Sequence, residues 1–555
     1  MRNEASWWPT LAQRSVRQPL LRFFLAASLV AAASPSQAQQ RIPSFAELQA
    51  SGARIGAIHV VTQNIFDLDD PSENNAIYRL VNRLHIRTRP EVIERLLLFE
   101  TGDPVSVRVI EETERLLRSK HYLYDVAIRP VAYVDGVVDI EVQTRDTWSL
   151  DIGVSGSRAG GENTGRLAVR EDNLLGTGIL LGISYAADVD RRGTTFEIAD
   201  TNLLGTRAGT RYSYAHYTDG NSQVFELQRP FYALDARWAA GLSAEQSNVL
   251  EPVYNAGNKI TEYRHRRHAV EGFGGWSPGL VNGWTQRYSV GLLHRRDDYA
   301  LEADEPPPPR LPSDLDLVGP FVRFELIEDA FRSDVNLNLI GRVEDFAMGL
   351  QARLQLGRAV ARLGSTRDAW LYNFSVGNGF DITEHSFMLT NVTASGRRAE
   401  GGENEALGAS ARYYYRHGRH VVYYAAVSAD AVDNPDIPGP LQIGGENGLR
   451  GYPLRYQSGE RRALLTLEAR GYTDWYPFRL FRVGGALFYD TGRAWKGENQ
   501  NTINGGWLRD VGFGLRLLSA RTSKGNVLHA DFAFPLDPDP SIDKVQFVLK
   551  TRVAF

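Results

Sequence analysis

The spacing of hydrophobic and polar side chains changes once along the chain, close to Thr147. Before this point, two segments repeat apolar residues every three or four positions, which is the period of an amphipathic helix. After it, segments of about ten residues alternate apolar and polar side chains between Gly, Asp, Asn and Pro, which is typical of strands with two different faces. The pattern predicts an α+β unit over residues 42–146 and an all-β region over residues 147–555.

The α+β unit is predicted to have the order β-α-α-β-β. An Ile- and Val-rich segment over residues 54–63 predicts the first strand, and the second helix is expected over residues 106–119. The first helix is expected to begin at Thr88, with Glu91 completing a capping box. The side chains expected to share one face of the second helix are Ile110, Thr113 and Leu117, and those of the two closing strands are Tyr124, Val126, Ile128, Val138, Ile140 and Val142.

The last segment of the chain shows the alternation of the all-β region most clearly. Its apolar face carries Val545, Phe547, Leu549, Val553 and Phe555. In the two segments before it, the same alternation places Arg516, His529 and Asp531 opposite the apolar side chains, so a polar lumen is expected there. Because backbone polar groups in lipid must all be paired, strands with an apolar face toward lipid have to close into a barrel. A soluble β-sandwich, in which the apolar faces cover one another, is the alternative. The terminal aromatic residue and the number of strands favour the barrel.

A five-residue repeat lies near the start of the all-β region. Asn-Leu-Leu-Gly-Thr occurs at residues 173–177 and again at residues 202–206. Each copy ends one alternating run and opens the next, which predicts two short turns at the periplasmic end of successive hairpins.

Composition narrows the function classes. The chain has no cysteine, which excludes disulfides and thiolate chemistry, and a net charge of -4, which gives no sign of a nucleic-acid partner. Residues 1–38 are predicted to be an export signal, because basic residues precede an apolar stretch over residues 23–33 and Ser36-Gln37-Ala38 offers a cleavage site.

Two motifs carry candidate chemistry. Gly445, Leu449, Arg450, Gly451 and Tyr452 lie in a long connection between two strands, and Phe488, Asp490 and Gly492 lie in a strand downstream. Period two places Phe488 and Asp490 on one face of that strand. A guanidinium confined in a lumen needs a carboxylate, and a bidentate pair fixes its orientation.

These motifs resemble the lid-loop and barrel-wall motifs of the BamA/TamA-type superfamily of outer-membrane proteins with POTRA domains and a β-barrel, also called the bacterial surface antigen family. Residues 42–146, with Leu98-Phe99-Glu100-Thr101-Gly102-Asp103-Pro104, resemble a POTRA domain. The resemblance implies a lid loop near residues 436–460 that folds into the lumen, with Arg450 in contact with Asp490. It also implies a C-terminal signal formed by Phe547, Leu549, Val553 and Phe555.

The number of strands is expected from the count of alternating runs and from the resemblance. Roughly fifteen alternating runs precede Gly444 and five follow it, whereas the resemblance implies about eleven and five. We therefore expect a transmembrane antiparallel β-barrel of about 16 strands, with the surplus runs forming loop hairpins or divided strands.

The resemblance implies a protein of the bacterial outer membrane, with its N-terminal domain in the periplasm, that assembles or translocates proteins. Its partners would be outer-membrane lipid, unfolded or partly folded proteins bound at an edge strand of the POTRA domain, and an accessory periplasmic or lipoprotein partner. A channel or transporter for lipid or for a dedicated secreted partner is the alternative. No cofactor or metal is expected. We reject catalysis by His529 and Asp531, because no nucleophile motif accompanies them.

Overall fold

The computed structural model describes residues 41–159, 162–255, 257–399, 402–436, 440–445, 447–496, 505–522, 527–537, 540 and 542–552. The predicted export signal at residues 1–38 lies outside the described residues, as do Val553 and Phe555 of the predicted C-terminal signal. From Pro43 onward the chain forms one compact unit.

The N-terminal domain is a three-stranded sheet of order β1-β3-β2, with β1 parallel and β2 antiparallel to the central strand. Its strands are β1 Arg54–Gln63, β2 Leu123–Val134 and β3 Val137–Asp146, and its helices are α1 Phe45–Ala50, α2 Ala76–Leu84, α3 Pro90–Glu94 and α4 Val107–Arg118. The expected order is present, with α1 and α2 in addition. Ile110, Thr113 and Leu117 of α4 are all buried, as the helical spacing predicts.

The start of α3 differs from the expectation. Arg89 occupies the position before the helix and makes no capping bond with its side chain. Thr88 instead donates from its backbone N–H and its hydroxyl to the two carboxylate oxygens of Asp146, at 2.7 and 2.9 Å. A buried carboxylate needs donors more than an exposed helix end does, since the helix end can bond to water. The predicted cap is therefore wrong.

The second region forms one closed antiparallel barrel of twenty strands within the described part of the chain. The barrel strands before the lid loop are β4 Leu150–Ala159, β5 Glu162–Glu171, β6 Ile179–Ala187, β7 Arg192–Asp200, β8 Gly209–Tyr217, β9 Gly220–Arg229, β10 Trp238–Asn255, β11 Asn258–Val281, β12 Trp284–Leu301, β13 Leu315–Glu328, β16 Gln351–Ala359, β17 Ala369–Thr383, β18 Ser386–Ala399, β19 Gly402–His417 and β20 Val421–Asp433. Those after it are β23 Arg461–Tyr472, β24 Phe481–Trp495, β25 Leu508–Ser519, β26 Val527–Pro535 and β27 Gln546–Arg552. Two hairpins lie off the barrel, β14 Phe331–Val335 with β15 Val343–Ala347, and β21 Leu441–Ile443 with β22 Gln457–Gly459.

The expected number of about 16 strands is wrong. Fifteen described strands precede the lid loop and five follow it, so the alternating runs were themselves the strands. Each of β6 to β9 is hydrogen-bonded to a neighbour along both edges, which leaves none of them as a loop hairpin. The two hairpins that do leave the barrel have strands of five and three residues, shorter than the alternating runs.

The alternation along the barrel strands separates an apolar outer surface from a polar lumen. In β25 and β26, Phe513, Leu515 and Phe532 are exposed outward. Arg516, His529 and Asp531 are buried on the inner side, as predicted. An exposed apolar outer face with a polar interior is typical of a barrel in contact with lipid. In the described chain, no helix has the length and hydropathy needed to cross a bilayer.

The two copies of the Asn-Leu-Leu-Gly-Thr repeat form turns at the same end of the barrel, between β5 and β6 and between β7 and β8. Leu175 and Leu204 have nearly the same positive φ, 53° and 52°. Gly176 lies so close to the carbonyl oxygen of Arg87 that a Cβ would not fit. We call this end, where the N-terminal domain sits, the inner mouth, and the opposite end the outer mouth.

The N-terminal domain contacts turns around much of the inner mouth. Asn173 donates to Thr88 at 2.8 Å, and Arg207 donates to the carbonyl of Leu97 at 2.6 Å. At other connections of the barrel, Arg118 pairs with Asp345, Arg108 with Asp235 and Arg521 with Glu73. Because these contacts are spread over turns from β5 to β26, the domain lies across the opening.

Candidate functional site: the lumen

The lid loop, residues 436–460, turns into the barrel instead of standing above the outer mouth. Leu449 and Tyr452 are fully buried. They pack in a cluster with Ile443, Tyr456 and Leu508, the last of which is on β25 of the wall. The loop therefore has its own apolar core, which fixes its position against β24 and β25.

Arg450 is the centre of the polar contacts between this loop and the wall. Its Nε and Nη2 donate to the two carboxylate oxygens of Asp490 at 2.7 and 3.0 Å. Its Nη1 donates to Glu468 at 2.8 Å and to Asp531 at 3.2 Å, and its guanidinium lies 3.4 Å from the centroid of the Phe488 ring. The contact that the resemblance implied between Arg450 and Asp490 is present, and it is one part of a larger network.

The Arg450 side chain is only 3% exposed, and Asp490, Glu468 and Asp531 are buried as well. Taking one partner from a buried ion pair leaves an uncompensated charge and costs about 3–5 kcal/mol. The network therefore makes the position of the loop strongly dependent on one guanidinium.

The glycines of the two motifs allow close approach. Gly451 donates its N–H to Asp510 at 3.0 Å, and a Cβ on it would lie 2.7 Å from the Asp510 side chain. Gly448 has φ +102°, and a Cβ there would collide with Leu464. Gly492 of β24 is paired in register with Leu464 of β23, the residue that a Cβ on Gly448 would strike. Gly445 donates its N–H to Pro453 at 3.2 Å, closing the loop on itself.

Tyr452 attaches the loop to the ends of two strands. Its hydroxyl donates to the carbonyl of Arg509 at 2.9 Å and accepts from the backbone N–H of Asp537 at 3.3 Å. Gly484, Gly512 and Gly514 of the wall make room for other groups of the wall and not for the loop backbone. At Gly484 a Cβ would meet the carbonyl of Gly471 and the Tyr472 ring. The room at Gly512 is filled by the Phe488 ring, and the room at Gly514 by the Asp531 carboxylate.

Arg455 is a second anchor, which the sequence interpretation missed. Its two terminal nitrogens donate to both carboxylate oxygens of Asp190, in the turn between β6 and β7, at 2.8 and 2.6 Å. Its guanidinium lies 4.3 Å from the Tyr254 ring of β10. Because Arg450 and Arg455 bind different parts of the wall, the loop bridges the lumen. The sequence signal that could have indicated Arg455 is its position within the predicted lid loop, residues 436–460.

A second inward segment enters from the inner mouth. We call residues 331–347, with strands β14 and β15, the inner hairpin. Its tip residues Leu337 and Ile340 are buried among side chains from the inner surface of the barrel, namely Phe387, Tyr414, Val422, Tyr472, Leu518 and Val527. The carbonyl of Leu337 accepts from Arg470 at 2.8 Å and from the hydroxyl of Tyr472 at 2.9 Å.

Glu468 of β23 joins the two inward segments. One carboxylate oxygen accepts from Arg450 of the lid loop at 2.8 Å, and the other accepts from Arg470 at 2.8 Å. Arg470 in turn donates to the tip of the inner hairpin. At its base, the hairpin is held by the N-terminal domain, because Arg118 pairs with Asp345 at 3.0 and 3.1 Å. A continuous set of bonds thus runs from the lid loop to the N-terminal domain.

The barrel closes between its first and last strands. Leu549 of β27 is in register with Arg158 of β4, the one described pair at this seam, whereas β26 and β27 have seven. Phe547 packs against Phe532 of β26 with ring centroids 5.2 Å apart. Near the inner mouth, Trp148 donates its N–H to the carbonyl of Arg521 at 2.7 Å. The segment before β4 therefore contacts the turn after β25.

Two titratable groups lie where the N-terminal domain meets the first repeat turn. Burial raises the pKa of Asp146 to about 7, although two hydrogen bonds from Thr88 favour its ionised form. Burial and the nearby Arg87 lower the pKa of His85 to about 4. These two side chains are 3.7 Å apart. In the residues that the structure describes, no group of three or more His, Asp or Glu side chains is placed to hold a metal ion.

The lumen keeps some open space beside the two inward segments. A cavity of about 580 Å³ is bordered by β9 to β12 and by β16 to β19. Its lining mixes charges of both signs, including Glu226, Glu245, Glu271, Arg295 and Arg397.

Comparison with known proteins gives structural likenesses only. No protein-family model and no curated protein sequence matches the chain. Among solved structures, BamA from Haemophilus ducreyi lacking POTRA domains 1–3 is 13% identical, with 89% of this chain and 85% of that chain covered and a TM-score of 0.39. CdiB from Escherichia coli is 14% identical, with 90% and 76% covered and a TM-score of 0.45. CdiB from Acinetobacter baumannii is 12% identical, with 90% and 73% covered and a TM-score of 0.41. The assignment of function rests on the lumen geometry and not on these likenesses.

Proposed function

We propose that this protein is a transmembrane barrel of the bacterial outer membrane that assembles or translocates other proteins. The observation that carries the proposal is the lid loop, which is fixed inside a closed barrel by Arg450 on Asp490 and Glu468. Such a loop closes the lumen, but it does not join the first and last strands of the barrel wall. Movement of substrate then requires either displacement of the loop or opening of the seam between β4 and β27.

The N-terminal domain acts as a periplasmic POTRA domain in this proposal. Its two edge strands are β1 and β2, and an edge strand can pair with an added chain. On β2, Pro130 lacks an N–H, and the N–H of Ile128 donates to Glu114 at 2.9 Å. The start of β1 is also paired, because Ile55 exchanges backbone hydrogen bonds with Gly102 and Asp103. The later part of the β1 edge, from Ile58 onward, is therefore the proposed place for an unfolded or partly folded protein to bind. An accessory periplasmic or lipoprotein partner would deliver such chains.

A passive channel is the less favoured function. The lid loop and the inner hairpin both enter the lumen, and the N-terminal domain lies across the inner mouth. Transport of a dedicated partner or of lipid would need these elements to move together. Catalysis is not part of the proposal, because Asp531 is bound to two guanidinium groups, those of Arg450 and Arg516.

The proposal is tested by depleting the protein and measuring the composition of the outer-membrane proteome. We expect the amounts of other barrels or of a specific secreted protein to fall and to recover with the native chain. Arg450→Ala should not restore them. The matched control is Arg296→Ala, which removes a partly exposed pair with Asp298 on the same strand, β12. An unchanged proteome after depletion would contradict the proposal.

A further inference from the structure

Helix α2 of the N-terminal domain exposes a row of large apolar side chains. Ile77, Leu80 and Leu84 are 69%, 55% and 64% exposed, and their spacing places them along one side of the helix. The adjoining side is buried, since Tyr78 stacks on Phe66 with ring centroids 4.1 Å apart. We call Ile77, Leu80 and Leu84 the apolar stripe. An exposed stripe of this kind marks a surface that meets another apolar phase.

The position of α2 is set by the turn between β23 and β24. The hydroxyl of Tyr78 donates to the carbonyl of Phe478, and Arg479 donates to the hydroxyl of Ser72 at 2.6 Å. Leu480 packs against the cluster that contains Phe66 and Tyr78. Ile77, the first residue of the apolar stripe, is therefore next in sequence to Tyr78, which contacts the turn between β23 and β24.

The same turn carries exposed aromatic side chains. Trp475 and Phe478 are exposed in the turn, Phe481 is exposed at the start of β24, and Leu487 is exposed further along the outer face of that strand. Aromatic residues at strand ends mark the boundary between the hydrocarbon band and water. The helix with the apolar stripe is thus attached to a turn whose exposed aromatic side chains are typical of the membrane boundary.

The charge on α2 fits the same surroundings. The helix has no acidic residue, and Arg79 and Arg83 lie on the side away from its buried face. Both are exposed, as is Arg87 just beyond the helix. Arginine beside an apolar face is the composition of a helix that lies in a membrane surface, because the guanidinium meets the lipid phosphates while the apolar side chains enter the acyl boundary.

We infer that α2 lies on the inner leaflet surface of the membrane, with the apolar stripe at the boundary between headgroups and acyl chains. The partner is the phospholipid surface itself. The inference rests on the proposed membrane-spanning barrel and adds a second membrane attachment, which holds the N-terminal domain across the inner mouth from the side of β23 and β24.

The absence of cysteine from the sequence allows a direct test, because any single cysteine is a unique labelling site. The full chain would carry an NBD fluorophore at Leu80→Cys and would be reconstituted in phosphatidylethanolamine and phosphatidylglycerol vesicles containing lipids brominated at a shallow or a deep position. We expect NBD at position 80 to emit at shorter wavelength than in water and to lose about half of its fluorescence to the shallow quencher.

Two matched positions complete the test. Val134→Cys labels an equally exposed apolar residue (66%) at the far turn of the same domain and should stay unquenched. Leu487→Cys labels the outer face of β24 (64% exposed) and should be quenched by the deep lipid. If position 80 behaves like position 134, α2 does not touch the membrane. A blue-shifted but unquenched label at position 80 would mean that a protein or a second copy covers the stripe, and would also overturn the inference. Failure of quenching at position 487 alone would contradict the barrel proposal.

Discussion

The two segments that enter the lumen are held by different kinds of contact. The lid loop at the outer mouth is fixed by a buried guanidinium surrounded by three carboxylates. The inner hairpin is fixed by apolar burial and by two donors on one carbonyl oxygen, that of Leu337. Breaking a buried ion pair costs about 3–5 kcal/mol, whereas a neutral hydrogen bond contributes about 1 kcal/mol and one from a charged donor about 1.5–3 kcal/mol. At its polar contacts, the tip of the inner hairpin is therefore held less strongly than the lid loop.

The difference indicates an order of opening. In the proposed function, a substrate that arrives from the N-terminal domain would meet the inner hairpin first, and the hairpin is tied to that domain through Arg118 and Asp345. Displacing its tip frees Arg470, which shares Glu468 with Arg450. Release at the inner mouth would weaken the anchor of the lid loop, while loss of the lid loop would leave the apolar contacts of the hairpin intact.

The largest effect is expected for Arg450→Ala. Removal of the guanidinium leaves Glu468, Asp490 and Asp531 short of one positive charge, so the lid loop should lose about 3–5 kcal/mol of its binding to the wall. The rate of limited proteolysis within the loop, measured on the folded barrel in detergent, should rise steeply. Arg296→Ala should change this rate little, because its ion pair with Asp298 is partly exposed and lies within β12. Equal resistance of the Arg450→Ala loop and the native loop would refute the anchor.

Arg470→Ala should act mainly on the inner hairpin. The tip carbonyl loses a charged donor, which contributes about 1.5–3 kcal/mol, while Glu468 keeps Arg450. The readout is maleimide labelling of Ile340→Cys at the buried tip, which should become faster. The lid loop should remain more resistant to protease than in Arg450→Ala. If the loop is released first, the proposed order of opening is wrong.

Tyr472→Phe removes the weaker of the two bonds to Leu337. Arg470 still donates to the same carbonyl, so the expected cost is about 1 kcal/mol. Labelling of Ile340→Cys should accelerate about fivefold, less than in Arg470→Ala. An effect as large as that of Arg470→Ala would mean that the hydroxyl is essential and that the two donors are not independent.

The smallest effect concerns pH at the contact of the N-terminal domain with the first repeat turn. Asp146 has a folded pKa raised to about 7, so its contribution is present at low pH and is lost as pH rises through 7. His85 has a lowered pKa of about 4, so its contribution is present above 6.5 and is lost as pH falls. Between pH 6 and pH 8, Asp146 dominates, and docking should weaken as pH rises.

Spin labels at Val134→Cys and Leu204→Cys would report this docking as a distance between the domain and the second repeat turn. The distance distribution should broaden from pH 6 to pH 8 in the native background. Asp146→Asn cannot ionise, so this dependence should disappear. A dependence that survives the substitution would assign the effect to another group.

The elements that could be predicted from the sequence are those fixed by local pattern. Strand β1 has the expected bounds, Arg54–Gln63, and α4 begins after Ser106 as its apolar spacing indicates. The alternation also placed Arg516, His529 and Asp531 in the lumen. At the site, period two placed Asp490 on the inner face of β24, and the resemblance of the motifs implied its contact with Arg450.

The parts that could not be predicted depend on contacts between distant segments. Thr88 was expected to cap a helix, but Asp146, 58 residues away, takes both of its donors. Glu468 links the two inward segments. This role could be predicted only if the positions of β23 and of the inner hairpin were both known. The expected number of strands was wrong for another reason. The count of alternating runs, fifteen and five, agrees with the barrel, but the resemblance led to an expectation of sixteen. Helix α2 was missed although Asn75 caps it and its apolar residues recur at helical spacing.

The account is tested most directly by a density map of the full chain in a lipid nanodisc at side-chain resolution. We expect twenty strands in a closed barrel, with the lid loop inside the lumen and the Arg450 guanidinium joined to Asp490 and Glu468. A lid loop that lies outside the barrel, with Asp490 facing open water, would contradict it.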